Sequence, residues 1–208
     1  MVDSVRELRF LQRLALMAAS TLDLGALMGR VIAETTEATV TDVCSIYLLA
    51  PDCEALVLTA TNGLSQSGVG RVRLRVGEGI TGWAAAERRP VVVPDVRAEP
   101  RFRWLHGVDQ ARFVSMGSVP IISGDRFVGV LNVQTDALRE FTEADVGLLC
   151  AIAAQVAGDL ERGELQARLQ SQIAQLHRSE EINRRFSELV LSRAGMPGRG
   201  GRQTPRGE

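Results

Sequence analysis

The chain has 208 residues, with 24 basic and 25 acidic side chains and a formal net charge of −1 at pH 7. Every basic residue is an arginine, because the sequence contains no lysine. This composition excludes Schiff-base catalysis, pyridoxal phosphate attachment, and the phosphate-binding lysines of P-loop proteins and protein kinases. The balanced charge points to no particular partner, and we expect no direct nucleic acid binding by this chain.

Cysteine usage and the start of the chain bear on the compartment. Cys44, Cys53 and Cys150 are odd in number and have no C-x-x-C spacing, which favours a reducing cytosol over a disulfide framework. The first residues lack the pattern of a signal peptide, and the apolar patch at 14–19 is too short to cross a bilayer. We therefore expect a soluble, cytoplasmic protein with no membrane contact.

Two helices are predicted before the first strand. Apolar residues spaced by three and four predict an N-terminal amphipathic helix over 1–20. Asp23 is a plausible N-cap for a second helix that continues to about Thr39.

The period then changes to two, which indicates strands. Residues 43–49 and 56–60 form a predicted antiparallel hairpin. The alternating segment 71–76 predicts another strand with three arginines on one face, which is either an anion site or the solvated side of a sheet.

The segment 77–95 combines a glycine-hinged turn, a short apolar helix and a strand. Glycines permit the turn, and Pro90 and Pro94 bracket the strand. The irregular stretch 96–111 that follows is rich in aromatic residues, as is typical of a lid or a loop pinned over a core.

The last third of the chain is predicted to be a hairpin and a long helix. Strong β-forming residues at 118–134 surround a Gly-Asp turn, and Thr142 to Asp145 resembles a capping box. Apolar residues at Leu165, Leu169, Ile173 and Leu176 continue the helical pattern, but its phase slips. We expect a coiled-coil linker over 161–192, or alternatively a solvated, fraying helix, and a disordered tail over 193–208.

Taken in order, the 77–95 unit, the 118–134 hairpin and the helix that opens at 141–145 resemble the GAF family of small-molecule sensor domains. The resemblance covers 21–160. It implies an α+β fold of the GAF (PAS-related) type, with an antiparallel five- to six-stranded sheet, helices on one face and a ligand pocket on the other. A long C-terminal helix or coiled coil would follow this domain.

By position, the resemblance also implies a set of ligand-binding candidates and no catalytic or metal-binding residues. Whether the domain takes a cofactor is unknown from the sequence. His106 lies in the aromatic loop and His177 in the predicted coil, and neither is accompanied by a catalytic or metal-ligand pattern. The candidates are Gly79, Thr81, Trp83, Asp95, Phe102, Trp104, Ser115 and Ser118.

This chain lacks the residues that three known activities of GAF domains require. Its free methionine sulfoxide reductases place a cysteine in the turn that here reads 79–82, where this chain has none. Its cyclic-nucleotide-binding members carry an Asn-Lys-x-Phe motif, which a chain without lysine lacks. Bilin attachment needs a cysteine in another element.

The predicted function is therefore a non-catalytic, homodimeric sensor that transmits ligand state through its helices to an output domain or partner. The segment 176–190 resembles the linker of GAF-containing PucR/CdaR-type transcription regulators. Two alternatives stay open: a thiol-dependent reductase, and a dimerisation scaffold with a vestigial pocket.

Overall fold

The structure is a computed structural model that describes residues 24–105 and 108–194. The predicted helix at 1–20, the candidate N-cap Asp23, His106 and residues 195–208 of the predicted tail lie outside these ranges. The chain divides into two compact units, Met1–Ala167 and Arg168–Glu208. The first of these contains the whole sheet.

Three α-helices, one short 3₁₀ helix (Gln66–Gly68) and six strands make up the regular structure of the described part of the chain. The α-helices and strands are, in order, α1 (Leu24–Thr39), β1 (Val43–Leu49), β2 (Ala55–Asn62), β3 (Arg73–Arg75), α2 (Gly79–Glu87), β4 (Val91–Val93), β5 (Ser115–Ser123), β6 (Arg126–Thr135) and α3 (Glu143–Ala194).

The strands form one antiparallel sheet in the order β3-β2-β1-β6-β5-β4. This arrangement confirms the predicted α+β fold class. The predicted strand at 71–76 is shorter than expected, because only Arg73 to Arg75 pair with β2. Arg71, Arg73 and Arg75 are all exposed, as expected for the solvated side of a sheet.

Each face of the sheet has its own hydrophobic core. On one face, Cys44, Ile46 and Leu131 pack with residues of α1 and α3 such as Ile32 and Leu149. We call this the helix-side core. The opposite face carries the residues that alternate with them along the strands, including Val43, Tyr47 and Val130, and packs against Ile80, Ala84 and Ala85 of α2. We call this the α2-side core. Strand alternation thus separates the structural helices from the face predicted to hold a ligand.

The capping box predicted for α3 is present. The Asp145 N–H donates to the Thr142 hydroxyl at 3.1 Å, and the Thr142 N–H donates to the Asp145 carboxylate at 2.8 Å. These bonds satisfy backbone donors at the helix start and set where α3 begins.

The helix α3 continues through Ala194, so residues 193 and 194, predicted to be disordered, are helical. Within the second unit, Leu169 and Ile173 are 59% and 53% exposed. They lie four residues apart and therefore share one side of the helix. The side chain of Leu176, part of the predicted stripe, lies outside the described residues.

Candidate functional site

The turn before α2 brings two stretches of backbone into close contact. Gly79, the first residue of α2, has a φ of +67°, a conformation that favours glycine. A Cβ at Gly82 would lie 2.5 Å from the carbonyl oxygen of Arg75 on β3. The Gly77 N–H also donates to the Gly82 carbonyl at 2.7 Å. These contacts hold the first turn of α2 against the edge of the sheet.

A row of polar side chains crosses one face of the sheet. Asn132 on β6 lies directly opposite Ser45 on β1 and Ser118 on β5, and Thr61 on β2 lies opposite Ser45. Residues directly opposite each other on neighbouring strands point to the same face. Thr61, Ser45, Asn132 and Ser118 therefore form a continuous line over four strands, which we call the polar row. Each member is at most 4% exposed.

The polar row lies on the α2 side of the sheet. Ser45 sits between Val43 and Tyr47 on β1, and both belong to the α2-side core. Thr81 of α2 confirms this placement, because its hydroxyl accepts a hydrogen bond from the Asn132 side-chain amide at 2.7 Å. At Asn132 the row therefore contacts the short helix directly.

The hydrogen bonds on this face of the sheet leave some buried side-chain atoms without a partner. The Ser45 and Thr61 hydroxyls pair with each other at 2.8 Å. Within the described part of the chain, three buried side-chain atoms have no partner: Ser118 Oγ, Asn132 Oδ1 and Gln134 Nε2. Gln134 lies two residues beyond Asn132 on β6, on the same face. A buried polar group without a hydrogen bond costs about 1–3 kcal/mol, so three on one face mark a region that is not built for stability alone.

Aromatic and arginine side chains surround the outer side of α2. The guanidinium carbon of Arg101 lies 4.1 Å from the centroid of the Trp83 ring, a cation–π contact. Phe102 and Trp104 meet edge to face with their centroids 5.0 Å apart. Trp83 and Phe102 also pack against the α2-side core, whereas Trp104 is 54% exposed. These side-chain contacts therefore hold the loop after β4 against α2.

Asp95 forms an ion pair with Arg97, two residues further along the chain. Its two carboxylate oxygens accept from the Arg97 guanidinium at 2.8 and 2.7 Å, and one also accepts from the Arg97 N–H. The side-chain hydrogen bonds from Arg97 lower the pKa of the Asp95 carboxyl below its ordinary value. The carboxylate thus stabilises the turn after β4.

Ser115, the first residue of β5, forms hydrogen bonds through its hydroxyl. Its hydroxyl donates to the Pro94 carbonyl at 2.5 Å and accepts from the Arg139 N–H at 2.8 Å. This ties the end of β4 to the loop between β6 and α3. The Ser115 hydroxyl therefore has partners where the Ser118 hydroxyl has none.

The structure brings some of the predicted candidates together and separates others. Thr81 and Ser118 meet in the polar row, Gly79 begins the helix above it, and Trp83 and Phe102 lie at its outer side. Asp95, Trp104 and Ser115 lie away from the row in the contacts described above. The sequence-based candidates did not include Thr61, Ser45, Asn132 and Gln134. A search for polar residues at inward positions of apolar strands would have found them.

The three thiols lie apart from this site. Cys44 is buried on the opposite face of the sheet, in the helix-side core, where burial raises the pKa of its thiol to about 12. Cys53 is exposed in the turn between β1 and β2, and Cys150 belongs to α3. Among the described residues, no group of three or more His, Cys, Asp or Glu side chains could hold a metal ion. No described helix is both long and apolar enough to span a membrane.

The geometry agrees with a family comparison. The model of the GAF domain matches residues 23–160. The chain belongs to the GAF domain family. The matched region includes the sheet, α1, α2 and the part of α3 that packs on the sheet, so the polar row lies wholly within the GAF domain.

Two curated relatives are similar to this GAF domain. A phosphoenolpyruvate-dependent phosphotransferase system protein of Escherichia coli (strain K12) is 31% identical over 127 residues, which are 61% of this chain and 17% of that protein. A Nif-specific regulatory protein of Azospirillum brasilense is 32% identical over 145 residues, which are 68% of this chain and 21% of that protein. The chain therefore spans about a fifth of the length of these relatives.

Solved structures share the fold. The GAF domain of an Acinetobacter phosphoenolpyruvate-protein phosphotransferase superposes with a TM-score of 0.61 at 27% identity, covering 79% of this chain and 96% of that one. A free methionine-R-sulfoxide reductase from Neisseria meningitidis, in complex with its substrate, gives a TM-score of 0.60 at 27% identity, covering 75% and 87%. A GAF domain of a phosphotransferase and a free methionine sulfoxide reductase thus share this architecture.

Proposed function

We propose that this chain is a non-catalytic regulatory GAF domain that binds a small molecule between α2 and the sheet and transmits the ligand state through α3. The observation that carries the proposal is the polar row, together with the three unpartnered atoms of Ser118, Asn132 and Gln134. A face built only for packing would place apolar side chains there. Hydrogen-bonding groups that lack protein partners are what a small polar guest requires.

The strands that carry the row also contact α3. At the tip of the β5–β6 hairpin, the Ser123 hydroxyl donates to the Glu161 carboxylate at 2.6 Å. The Arg126 guanidinium donates to Glu164 at 2.9 Å. A change in the spacing of β5 and β6 at Ser118 and Asn132 would therefore act on α3 through these two contacts, as a population shift between two helix arrangements requires.

The relatives support a regulatory role. The Azospirillum relative is a regulator by name, and this chain corresponds to about a fifth of it. We therefore infer an output domain or partner protein that responds to the GAF domain, in transcription regulation or another form of signal transduction. The free cysteines support a cytoplasmic location.

Dimerisation is proposed through the terminal helices. Leu169 and Ile173 expose more than half of their surface on one side of α3, and a second copy of the same helix would bury both as a coiled coil. Homodimers with two-fold symmetry are the commonest assemblies of such chains. The test compares the full chain with Leu169→Glu and Ile173→Glu by light scattering at tens of micromolar, with Gln170→Glu as the matched control. A monomeric parent chain would contradict dimerisation.

The reductase alternative is disfavoured by the positions of the thiols. No cysteine occurs in α2 or in the loop after it, and Cys44 lies on the other face of the sheet with a raised thiol pKa. The nucleophilic form of cysteine is the thiolate, which such a thiol does not supply at neutral pH. Free methionine sulfoxide reduction by a Cys44, Cys53 and Cys150 triple variant, compared with the parent, decides the point.

A scaffold with a vestigial pocket is the second candidate, because every member of the polar row is buried in this structure. The two candidates predict different outcomes in a metabolite screen of the full chain by thermal shift and tryptophan fluorescence. A sensor is stabilised by a ligand, and the stabilisation is lost in Ser118→Ala and kept in Ser67→Ala, at an exposed serine in the short 3₁₀ helix after β2. A chain that dimerises but is shifted by no metabolite is a scaffold, and the sensor proposal then fails.

A further inference from the structure

Resting on the proposed function, we propose that the polar row binds an uncharged planar group that both donates and accepts hydrogen bonds, such as a primary amide or a urea. This class of ligand follows from which atoms of the site are unpartnered, from their arrangement and from the charges around them.

The unpartnered atoms supply both halves of such an interaction. An amide side chain presents an acceptor oxygen and a donor NH₂. Whichever of the two faces Thr81, the other end of the Asn132 amide is the unpartnered one. The Ser118 hydroxyl can donate or accept, and Gln134 adds a second amide. A ligand with donors alone or acceptors alone would leave part of this set unpaired.

The arrangement suits one planar group. Ser118 and Asn132 are directly opposite each other on β5 and β6, so their side chains start about 5 Å apart. Gln134 is two residues further along β6, about 7 Å from Asn132. The three side chains therefore border a small patch of the sheet, whose width matches a single amide-sized group rather than an extended chain.

The surroundings are uncharged. Among the described residues, none of the buried polar side chains is a carboxylate, a guanidinium or an imidazole. The arginines that border α2, Arg101 and Arg103, are exposed. The N-terminus of α2 is preceded by Glu78, which supplies a carboxylate of its own. A ligand carboxylate on the polar row would lose its hydration without gaining a buried counter-charge.

The test uses two isosteric probes, benzamide and benzoate, and the smaller urea, with the full ¹⁵N-labelled chain. Chemical shifts of the side-chain NH₂ groups of Asn132 and Gln134 report on the site directly. We expect benzamide to shift both groups in a saturable manner and urea to shift them in the same direction. Benzoate is expected to bind at least about tenfold more weakly, because it offers no donor and carries a charge.

Two variants test the site itself. Ser118→Ala is expected to weaken benzamide binding about tenfold without lowering the melting temperature, because it removes a hydroxyl that has no partner. Gln134→Met, which keeps the side-chain volume, is expected to act in the same direction. Ser67→Ala, at an exposed serine in the short 3₁₀ helix after β2, is the matched control and leaves the affinity unchanged.

The outcomes separate this inference from the proposed function. Benzoate binding as tightly as benzamide at these NH₂ groups overturns the ligand class and leaves a sensor with an anionic ligand. Benzamide shifts that are unchanged in Ser118→Ala, or an absence of shifts with all three probes, overturn the assignment to the polar row. The ligand-binding part of the proposed function is tested separately, by the metabolite screen described above.

Discussion

The Arg126 guanidinium at the start of β6 and the Glu164 carboxylate on α3 form an ion pair at 2.9 Å. The pair joins a strand that carries Asn132 to the helix proposed to transmit the signal. Both side chains are partly exposed, so the pair is expected to add less than about 1 kcal/mol to the free energy of unfolding. Its proposed role therefore depends on its place between β6 and α3 and not on its contribution to stability.

Replacing Arg126 with Gln tests this role. We expect global stability to change by less than about 1 kcal/mol, while amide hydrogen exchange in the part of α3 near Glu161 and Glu164 becomes up to about fivefold faster. Arg89→Gln removes a comparable exposed pair with Glu87 and serves as the control. Equal exchange in α3 for both variants would contradict a mechanical link at the hairpin tip.

Removing the capping carboxylate of α3 should destabilise the domain. Asp145 accepts from the Thr142 backbone and hydroxyl and forms an ion pair with Arg139 at 2.7 Å. We expect Asp145→Ala to lower the free energy of unfolding by about 1–2 kcal/mol at pH 7, measured by urea denaturation. Glu143→Ala, at an exposed position in the same helical turn, is the control.

The same variant gives a pH dependence. Hydrogen bonds from Thr142, with a further contribution from Arg139, lower the pKa of the Asp145 carboxyl in the folded state. Its stabilising effect is thus complete above the unfolded pKa of about 4 and is lost as the pH falls through the lower folded value. The stability difference between parent and Asp145→Ala should shrink below about pH 4. A difference that stays constant down to pH 2 would be inconsistent with this origin.

Thr81→Val should show how much the hydrogen bond between Thr81 and the polar row contributes to stability. The substitution preserves shape but removes the hydroxyl that accepts from Asn132, leaving another buried amide atom unpaired. We expect a loss of about 1–3 kcal/mol in the free energy of unfolding. Thr59→Val on β2, whose hydroxyl bonds to the nearby Val57 carbonyl, should change it by less than about 0.5 kcal/mol.

The two tryptophans should respond differently to an aqueous quencher. In Trp83→Phe the remaining Trp104 is exposed, so acrylamide should quench it more strongly than it quenches Trp83 in Trp104→Phe. Adding Arg101→Ala to the Trp104→Phe chain removes the guanidinium 4.1 Å from the Trp83 ring and should increase its quenching. Arg89→Ala, at 5.8 Å, should have the smaller effect.

Two glycine-to-alanine substitutions in helices should have opposite signs. At Gly147 of α3 a Cβ meets nothing within 4 Å, so alanine should stabilise the domain by about 0.5–1 kcal/mol. At Gly82 of α2 the Cβ would lie 2.5 Å from the Arg75 carbonyl oxygen, and alanine should destabilise by about 1–3 kcal/mol. Thermal melts of the two variants give the comparison, and a stabilised Gly82→Ala would show that the turn is not tightly packed.

Sequence reasoning succeeded where the signal was local. The capping box at Thr142 and Asp145 and the strand bracketed by Pro90 and Pro94 follow from short-range chemistry, and the structure contains both. The GAF fold followed from the order of such segments. Alternation and turn residues also predicted the β1–β2 and β5–β6 hairpins, but not that β1 pairs with β6.

The polar row was missed because it depends on register between distant strands. Ser45 and Asn132 are 87 positions apart in the sequence and become neighbours only when β1 pairs with β6. Nothing in the local pattern of either strand determines that pairing. Likewise, the engaged hydroxyl of Ser115 and the unpartnered hydroxyl of Ser118 cannot be distinguished without the positions of Pro94 and Arg139.

The two outer strands have a consequence for how copies of this chain avoid each other. Strands β3 and β4 are three residues long, with exposed arginines on the first and prolines flanking the second. Edge strands that are short, charged or flanked by proline offer few free backbone groups to a strand of another molecule. They therefore disfavour extension of the sheet and aggregation. Self-association by strand addition is thus disfavoured, and copies that associate are left with their helical surfaces.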